Sequence, residues 1–406
     1  MNSYVYAIAT MDTKGRELAY VARCLNAAGA AVRTVDVSTS ATPLDQQSTV
    51  SDIHRDVVLS GTAIDEAGDR GTAIATMAEA LRQFMVQECR AGRVAGVIGI
   101  GGSGGTALIT AAMRSLPIGL PKLMVSTVAS GNTAGYVDCS DIAMMYSVVD
   151  VAGLNVVSRT VLGNAAHAMA GMVAQLPPLA ESRPALGMTM FGVTTPCVTA
   201  IRESLEARGY DCLVFHATGA GGRAMEQLVE SGLIRGVLDM TTTEVADQVV
   251  GGIFPAGPHR FDKLLQARIP LVMSLGAVDM VNFGALDSVP EKFRQRSLHV
   301  HNDQITLMRT SVAENREIAL WIAAKLNQSV APVTMLIPEH GVSMLDAKGQ
   351  PFFDAEADGV LFSELESQIQ QTDTRKVVRV PHHINDAEFS ATAVKHFDQL
   401  MSAATT

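Results

Sequence analysis

The sequence predicts an α/β protein made of two Rossmann-like domains, each a mainly parallel sheet flanked by helices. Three observations carry this. Apolar β runs alternate with stretches at helical spacing along the chain, the pattern of strands joined by crossover helices. A proline-containing polar break, "QLPPLAESRPA" at 175–185, interrupts the alternation. On either side of it the chain opens the same way: strand, threonine-containing loop, helix, glycine, strand. The expected division is a first α/β domain at 1–174, a linker at 175–185 and a second α/β domain at 186–406.

Composition sets the bounds. The chain has 406 residues, 48% of them apolar and 18% charged, with a formal net charge of −10. Two sizeable cores fit this. The acidic balance and the lack of a Lys/Arg block argue against nucleic acid. No apolar run reaches the ~20 residues of a membrane span, and the N-terminus enters a strand-like run without a leader pattern. The five cysteines, Cys24, Cys89, Cys139, Cys197 and Cys212, are odd in number and widely spaced. They fit a reduced cytoplasmic protein better than a disulfide framework.

In the first half, "VYAIAT" reads as a strand and "MDTKG" as the loop after it. The helix "RELAYVARCLNAAG" follows, with Leu18, Val21, Ala22 and Leu25 on one face and Gly29 as its stop. Then come "AVRTVDV", a helix over 71–91, "VAGVIGI", a glycine loop, a helix from 104, "PKLMVSTV", "IAMMYSV" and a helix over 160–174. In the second half the strands are "ALGMTMFGVTT", "YDCLVFHATG", "GVLDMTT", "PLVMSLGAV", "SLHVHN", "PVTMLIPEHGVS" and "KVVRVPHH". Thr195 caps a helix there, with Pro196 at its first position. Leu307, Ile318, Ile322 and Leu326 predict a long helix over 306–327.

In open parallel sheets, ligands bind beyond the C-terminal strand ends, where the strand order reverses. Three loops of the first domain fall there: Asp12, Thr13, Lys14 and Gly15; Gly101, Gly102, Ser103, Gly104, Gly105 and Thr106; and Ser126 through Ser130, Gly131 and Asn132. Bare N–H groups at a helix start favour an anion, phosphate above all; glycine used only for close packing is the alternative. Gly99, Gly101 and Gly104 match G-x-G-x-x-G, but no acid follows about 20 residues on, and no Walker lysine follows the glycines. Lys14 or Lys122 would supply the positive charge; a solvated loop lysine is the alternative for Lys14. Asp12 would hold magnesium or cap a helix.

"ATMDTKGRE", "GVIGIGGSGGT", "KLMVSTVASGNT" and "DIAMMYSVVDVAGLN" resemble the ATP-binding-domain family typified by the tomato mosaic virus resistance protein. "FHATGAGGRAME", "DMTTTEVAD", "SLGAVDMVNFG", "VHNDQITLMRT" and "LIPEHGVSMLD" extend the likeness over nearly the whole chain. The resemblance implies two α/β subdomains, ATP as ligand of the first, and a homodimer; magnesium beside ATP rests on the reading of Asp12 alone. In the plant member this region inhibits viral RNA replication by binding the viral replication protein, and a further barrel-like domain follows. This chain is expected to end before such a domain.

The second domain carries further polar chemistry. Gly219, Gly221 and Ala224 fit G-x-G-x-x-A, and Asp239 follows at the spacing of a ribose-binding acid, which keeps an NAD-dependent enzyme as a minor alternative. His299, His301 and Asp303 would face one way on a strand and could hold a metal with Asp279; a surface histidine pair is the plain alternative. His216 ends a strand as an acid or base, or packs. Glu339 and His340 follow another strand. Asn282, Asn302, Arg309 and the threonine-rich loops would bind a carboxylate or phosphate. Cys197 is a buried thiol or a helix-activated one. The catalytic set expected from this is His301, Asn302, Arg309 and His216. Two functions stay open: an enzyme of small-acid metabolism that uses nucleotide and an unknown small molecule in a cleft, or a non-catalytic ATP-binding module that acts through protein contact.

Overall fold

The computed structural model describes residues 3–40, 51–64, 69–175 and 183–404. The chain divides into two units, 1–180 and 181–406. The expected linker falls largely on 176–182, outside the described residues.

The first unit runs β1 (Tyr4–Ala9), α1 (Met11–Ala27), β2 (Val32–Asp36), α2 (Arg55–Leu59), α3 (Arg70–Arg90), β3 (Val94–Gly101), α4 (Ser103–Met113), β4 (Lys122–Ser126), α5 (Ala134–Val137), β5 (Ala143–Tyr146) and α6 (Val156–Ala174). Its sheet is parallel, in the order β2-β1-β3-β4-β5. The strands are apolar on both faces because helices cover both. Tyr6, Ile8, Val97 and Met124 pack with Leu81 and Met85 of α3 and Ile109 of α4. Ala7, Ile98 and Val125 pack with Leu18 of α1 and Leu162 and Met169 of α6 on the other face. The order reverses between β1 and β3, so the switch point lies at their C-terminal ends.

The second unit runs β6 (Ala185–Met190), α7 (Thr195–Glu206), β7 (Asp211–His216), α8 (Ala220–Glu230), β8 (Ile234–Thr241), α9 (Thr243–Val250), α10 (Asp262–Gln266), β9 (Leu271–Gly276), β10 (Met280–Phe283), β11 (Leu298–Asn302), β12 (Ile305–Arg309), α11 (Val312–Leu326), β13 (Val333–Pro338), α12 (Ala355–Gln368), β14 (Arg375–Val380) and α13 (Ala387–Ala404). Six strands form a parallel sheet in the order β14-β13-β9-β8-β6-β7. Counted from β6, this repeats the first unit's order with one strand added, and its switch point lies between β6 and β8. The antiparallel sheet β10-β12-β11 is inserted between β9 and β13.

Three local expectations need correction. The helix expected over 306–327 is strand β12 followed by α11. Ser311 begins the helix with a reciprocal capping box: its hydroxyl accepts from the Glu314 N–H, and the Glu314 carboxylate accepts from the Ser311 N–H. That Ser-x-x-Glu signal outweighs the apolar spacing read through it. "MDTKG" is no loop; α1 starts at Met11, with a non-helical Lys14 (φ −131°, ψ 21°) in its first turns. Finally, α7 is preceded by Thr194 as its cap residue, and Thr195 already lies inside the helix.

Candidate functional site

The strongest candidate is the turn from β3 into α4. Gly102 is the cap residue and offers no side chain, and the N–H groups of Ser103, Gly104 and Gly105 have no acceptor among the described residues. The positive end of the α4 dipole is thus uncapped at the switch point. The glycines do different work. A Cβ on Gly101 would lie 2.9 Å from Gly105 C and Thr106 N, so this glycine lets the helix close on its strand. A Cβ on Gly104 would meet Ile74 Cδ1 at 3.1 Å. At Gly102 and Gly105 the nearest atoms are ordinary contacts, Thr127 Oγ1 at 3.7 Å and Ile100 O at 3.8 Å. Those two positions leave the space that an approaching anion needs.

Hydroxyls frame the turn. Thr106 Oγ1 and Ser126 Oγ lie 2.6 Å apart, and Ser126 Oγ also accepts from the Val128 N–H. Ser130 and Gly131 are exposed just beyond β4. Asn132 spends its side-chain oxygen on the Ala134 N–H at the start of α5.

The loop after β1 is different. The Met11 N–H donates to Asp36 Oδ1 and the Asp12 N–H to Ser38 Oγ, so the start of α1 is supplied with acceptors from the protein. Burial pushes the Asp12 carboxyl upward, and Asp36 adds to this. Thr13 is exposed and hydrogen-bonds Thr10, while Gly15 is buried. Lys14 Nζ donates to Val151 O at 3.0 Å. Lys122 cannot serve the glycine turn: it starts β4, at the opposite end of the strand, where it pairs with Asp141 at 2.6 Å and donates to Pro117 O.

In the second unit the dinucleotide-like motif is filled by protein. A Cβ on Gly221 would lie 1.9 Å from His216 O, and one on Gly222 would lie 2.3 Å from Glu244 Oε1. The Gly219 N–H donates to the Glu244 carboxylate, which takes the place of an anion at this helix start. Asp239, the residue expected at a ribose, is fully buried. It accepts from Thr189 Oγ1 and from Arg260 Nη2 at 2.7 Å. Arg260 also pairs with Glu226 and Glu244. This hub removes the geometric support for NAD.

The four residues expected to carry catalysis are not gathered in one place. His301 and Asn302 are exposed at the tip of the β11–β12 hairpin, where Asn302 Oδ1 accepts from the Gln304 N–H. Arg309 lies at the far end of β12, buried, 2.6 Å from Asp358 and 3.7 Å from Asp346. Its partners come from separate segments, Asp279 after β9, Asp346 after β13 and Asp358 on α12, so no local spacing announces the cluster. Burial pushes Asp279 and Asp346 each up to about 6 and Asp358 up to about 7, against the pull of Arg309. His216 ends the edge strand β7, stacked on Phe191 at 5.2 Å, and burial lowers its pKa.

The metal alternative loses its geometry too. The pairing of β11 shifts between Val300 and Asn302, and Asp303 lies beyond the strand. His299 packs edge-on against Phe352. Among the described residues no three of His, Cys, Asp and Glu gather to hold a metal ion. Glu339 pairs with Arg379, and Asn282 is buried against Asp247. Cys197 is a buried thiol pushed up to about 12, and its N–H is satisfied by Asn385.

The fold and this turn define a protein of two doubly wound α/β units, with one uncapped glycine turn at the switch point of the first. Family models for the N-terminal and C-terminal domains of the uncharacterised protein family UPF0261 match residues 3–177 and 183–401. The chain belongs to that family. It is 50% identical over 97% of its length to a UPF0261 protein of Mesorhizobium japonicum, covering 98% of that protein, and 51% identical over 96% to one of Rhizobium meliloti, covering 97%. It is 46% identical over 97% of its length to the ToMV resistance protein Tm-1 of Solanum lycopersicum and spans 55% of that protein. Among solved structures, a Streptomyces glycosyltransferase complexed with thymidine diphosphate covers 67% of this chain and 82% of its own, at 13% identity and a TM-score of 0.20. No described helix is long and apolar enough to cross a membrane.

Proposed function

We propose that the first unit binds ATP through its phosphates at the β3–α4 turn. The observation that supports this most is the contrast between the two glycine turns. In the second unit Glu244 already occupies the helix start, whereas at Gly102–Gly105 the N–H groups have no partner among the described residues and there is room above them. The exposed hydroxyls of Ser103 and Ser130 suit phosphate oxygens, and the sequence resemblance points to ATP among the phosphates. Binding is the activity proposed, because His301, Asn302, Arg309 and His216 do not assemble into one catalytic group.

Titration calorimetry with ATP, ADP, NAD and inorganic phosphate, each with and without magnesium, tests the reading. Binding of ATP that Gly105→Asp abolishes supports it; ATP affinity unchanged in a folded Gly105→Asp protein refutes it. A module that acts through another protein is the second reading. It is favoured by the edge strand β11, where Val300 is 51% exposed and one row of backbone groups is free to pair among the described residues.

A further inference from the structure

The segment 341–346 crosses the C-terminal end of the second unit's parallel sheet. The Met344 N–H donates to Val193 O after β6, Val342 O accepts from the Ala277 N–H after β9, and Ser343 O is 2.8 Å from His383 Nε2 after β14. The strand β8 lies between β9 and β6, so this strap runs over the end of β8, with Thr241 and Thr242. That is the switch point where ligands of such sheets bind.

Besides these tethers, side chains tie the strap to one buried cluster. Ser343 Oγ donates to Asp279 Oδ2 at 2.8 Å, and Asp346 Oδ2 accepts from the Val342 N–H. Asp346 and Asp279 share a buried cluster with Arg309 and Asp358, in which one guanidinium faces three carboxylates. The charge would be −2 if all were ionised. The Arg260 hub also sets one guanidinium among three carboxylates, yet each of its carboxylate oxygens has a donor. In the Arg309 cluster, Asp279 Oδ1, Asp346 Oδ1 and Arg309 Nε are buried without a hydrogen-bond partner. Buried oxygens without donors, next to another carboxyl, are what a retained proton satisfies.

We propose that Asp358 holds a proton shared with Asp346, and that this proton latches the strap over the end of β8. Loss of the proton to solvent leaves two adjacent carboxylates on one arginine, and the strap loosens. The other charged groups around the cluster do not supply the missing positive charge. Arg296 is paired with Glu314 and bonded to Arg309 O, Asp354 caps α12 with its carboxylate and accepts from Arg309 at its carbonyl, and His383 is committed to Ser343 O.

The sign follows from burial. These carboxyls are raised, to about 6 for Asp279 and Asp346 and about 7 for Asp358. Their contribution is complete below the unfolded carboxyl range and is lost as pH rises through about 6 to 7, at up to tenfold in the closing equilibrium per pH unit for one proton.

Hydrogen exchange of the strap amides, corrected for intrinsic rates and followed from pH 5.5 to 8.5, is the test. Protection at 342–346 is expected to fall up to tenfold per unit above about pH 6.5 in the wild type. Asp358→Asn keeps an acceptor for Arg309 and a donor for Asp346; it should hold the strap closed with a flat profile. Asp358→Ala should leave the strap open at every pH. A flat wild-type profile overturns the latch, as does the same slope in Asp358→Asn. If Asp358→Asn does not fold, the wild-type profile against Asp358→Ala decides alone.

Discussion

Thr106 Oγ1 and Ser126 Oγ meet at 2.6 Å, joining the first turn of α4 to the last residue of β4. Both are buried. This contact ties the uncapped helix start to the neighbouring strand end, so it positions the proposed phosphate turn without touching a ligand itself. Thr106→Val keeps the shape and removes the hydroxyl. It is expected to cost about 1–3 kcal/mol, the range for an unpaired buried polar partner, measured by urea unfolding. ATP affinity should fall with it.

Two glycines four residues apart should respond in opposite ways. Gly105 lies in the first turn of α4 with nothing closer than 3.8 Å to an added Cβ. Gly105→Asp places a carboxylate near the positive helix end and removes a helix-weakening glycine, so unfolding stability should hold or rise by roughly 0.5–1 kcal/mol while ATP binding is lost. Gly101→Ala pushes a methyl into backbone at 2.9 Å. It should destabilise by roughly 1–3 kcal/mol. Equal effects of the two on the unfolding midpoint would refute this division of roles.

Arg260 is fully buried among Glu226, Asp239 and Glu244. Arg260→Met leaves those acids without their cation. A loss of about 3–5 kcal/mol is expected, and thermal unfolding would read it.

His301 is exposed on the hairpin tip. His301→Ala should change stability by less than about 0.5 kcal/mol and leave ATP affinity unchanged. A drop in affinity measured by calorimetry would place this hairpin in the binding site.

Cys197 is raised to about 12 by burial. A raised thiol keeps its proton in the fold, so its contribution is complete below the unfolded thiol range and is lost only as pH climbs through about 12. At pH 8 the native thiol should resist iodoacetamide and react only as the chain unfolds. Prompt alkylation of the folded protein, seen by mass spectrometry, would contradict this.

The parallel sheets were legible because their strands are apolar runs closed by glycine loops, and both switch points fall where such loops stand. Gly102 and Gly105 stood out for the same reason as bare backbone at a helix start, and the structure leaves that start without a side-chain cap. Local pattern failed at Leu307, whose spacing suits a helix but whose backbone pairs with His299 of β11; the chain partner, not the period, decided it. It failed again at Arg309, which reads as a ligand-binding cation. Its neutralising acids, Asp346 and Asp358, lie 37 and 49 residues further on, and only the fold brings them to it.

Glu244 gives the second glycine turn a meaning that sequence scanning misses. A fingerprint search scores Gly219, Gly221 and Ala224 as a coenzyme receptor, yet the turn carries its counter-ion within the same chain, 25 residues downstream. It is a self-liganded strut. Whether a glycine turn in this kind of sheet receives a guest or braces the frame is then decided outside the motif, by a residue in the first turn of the helix after the following strand.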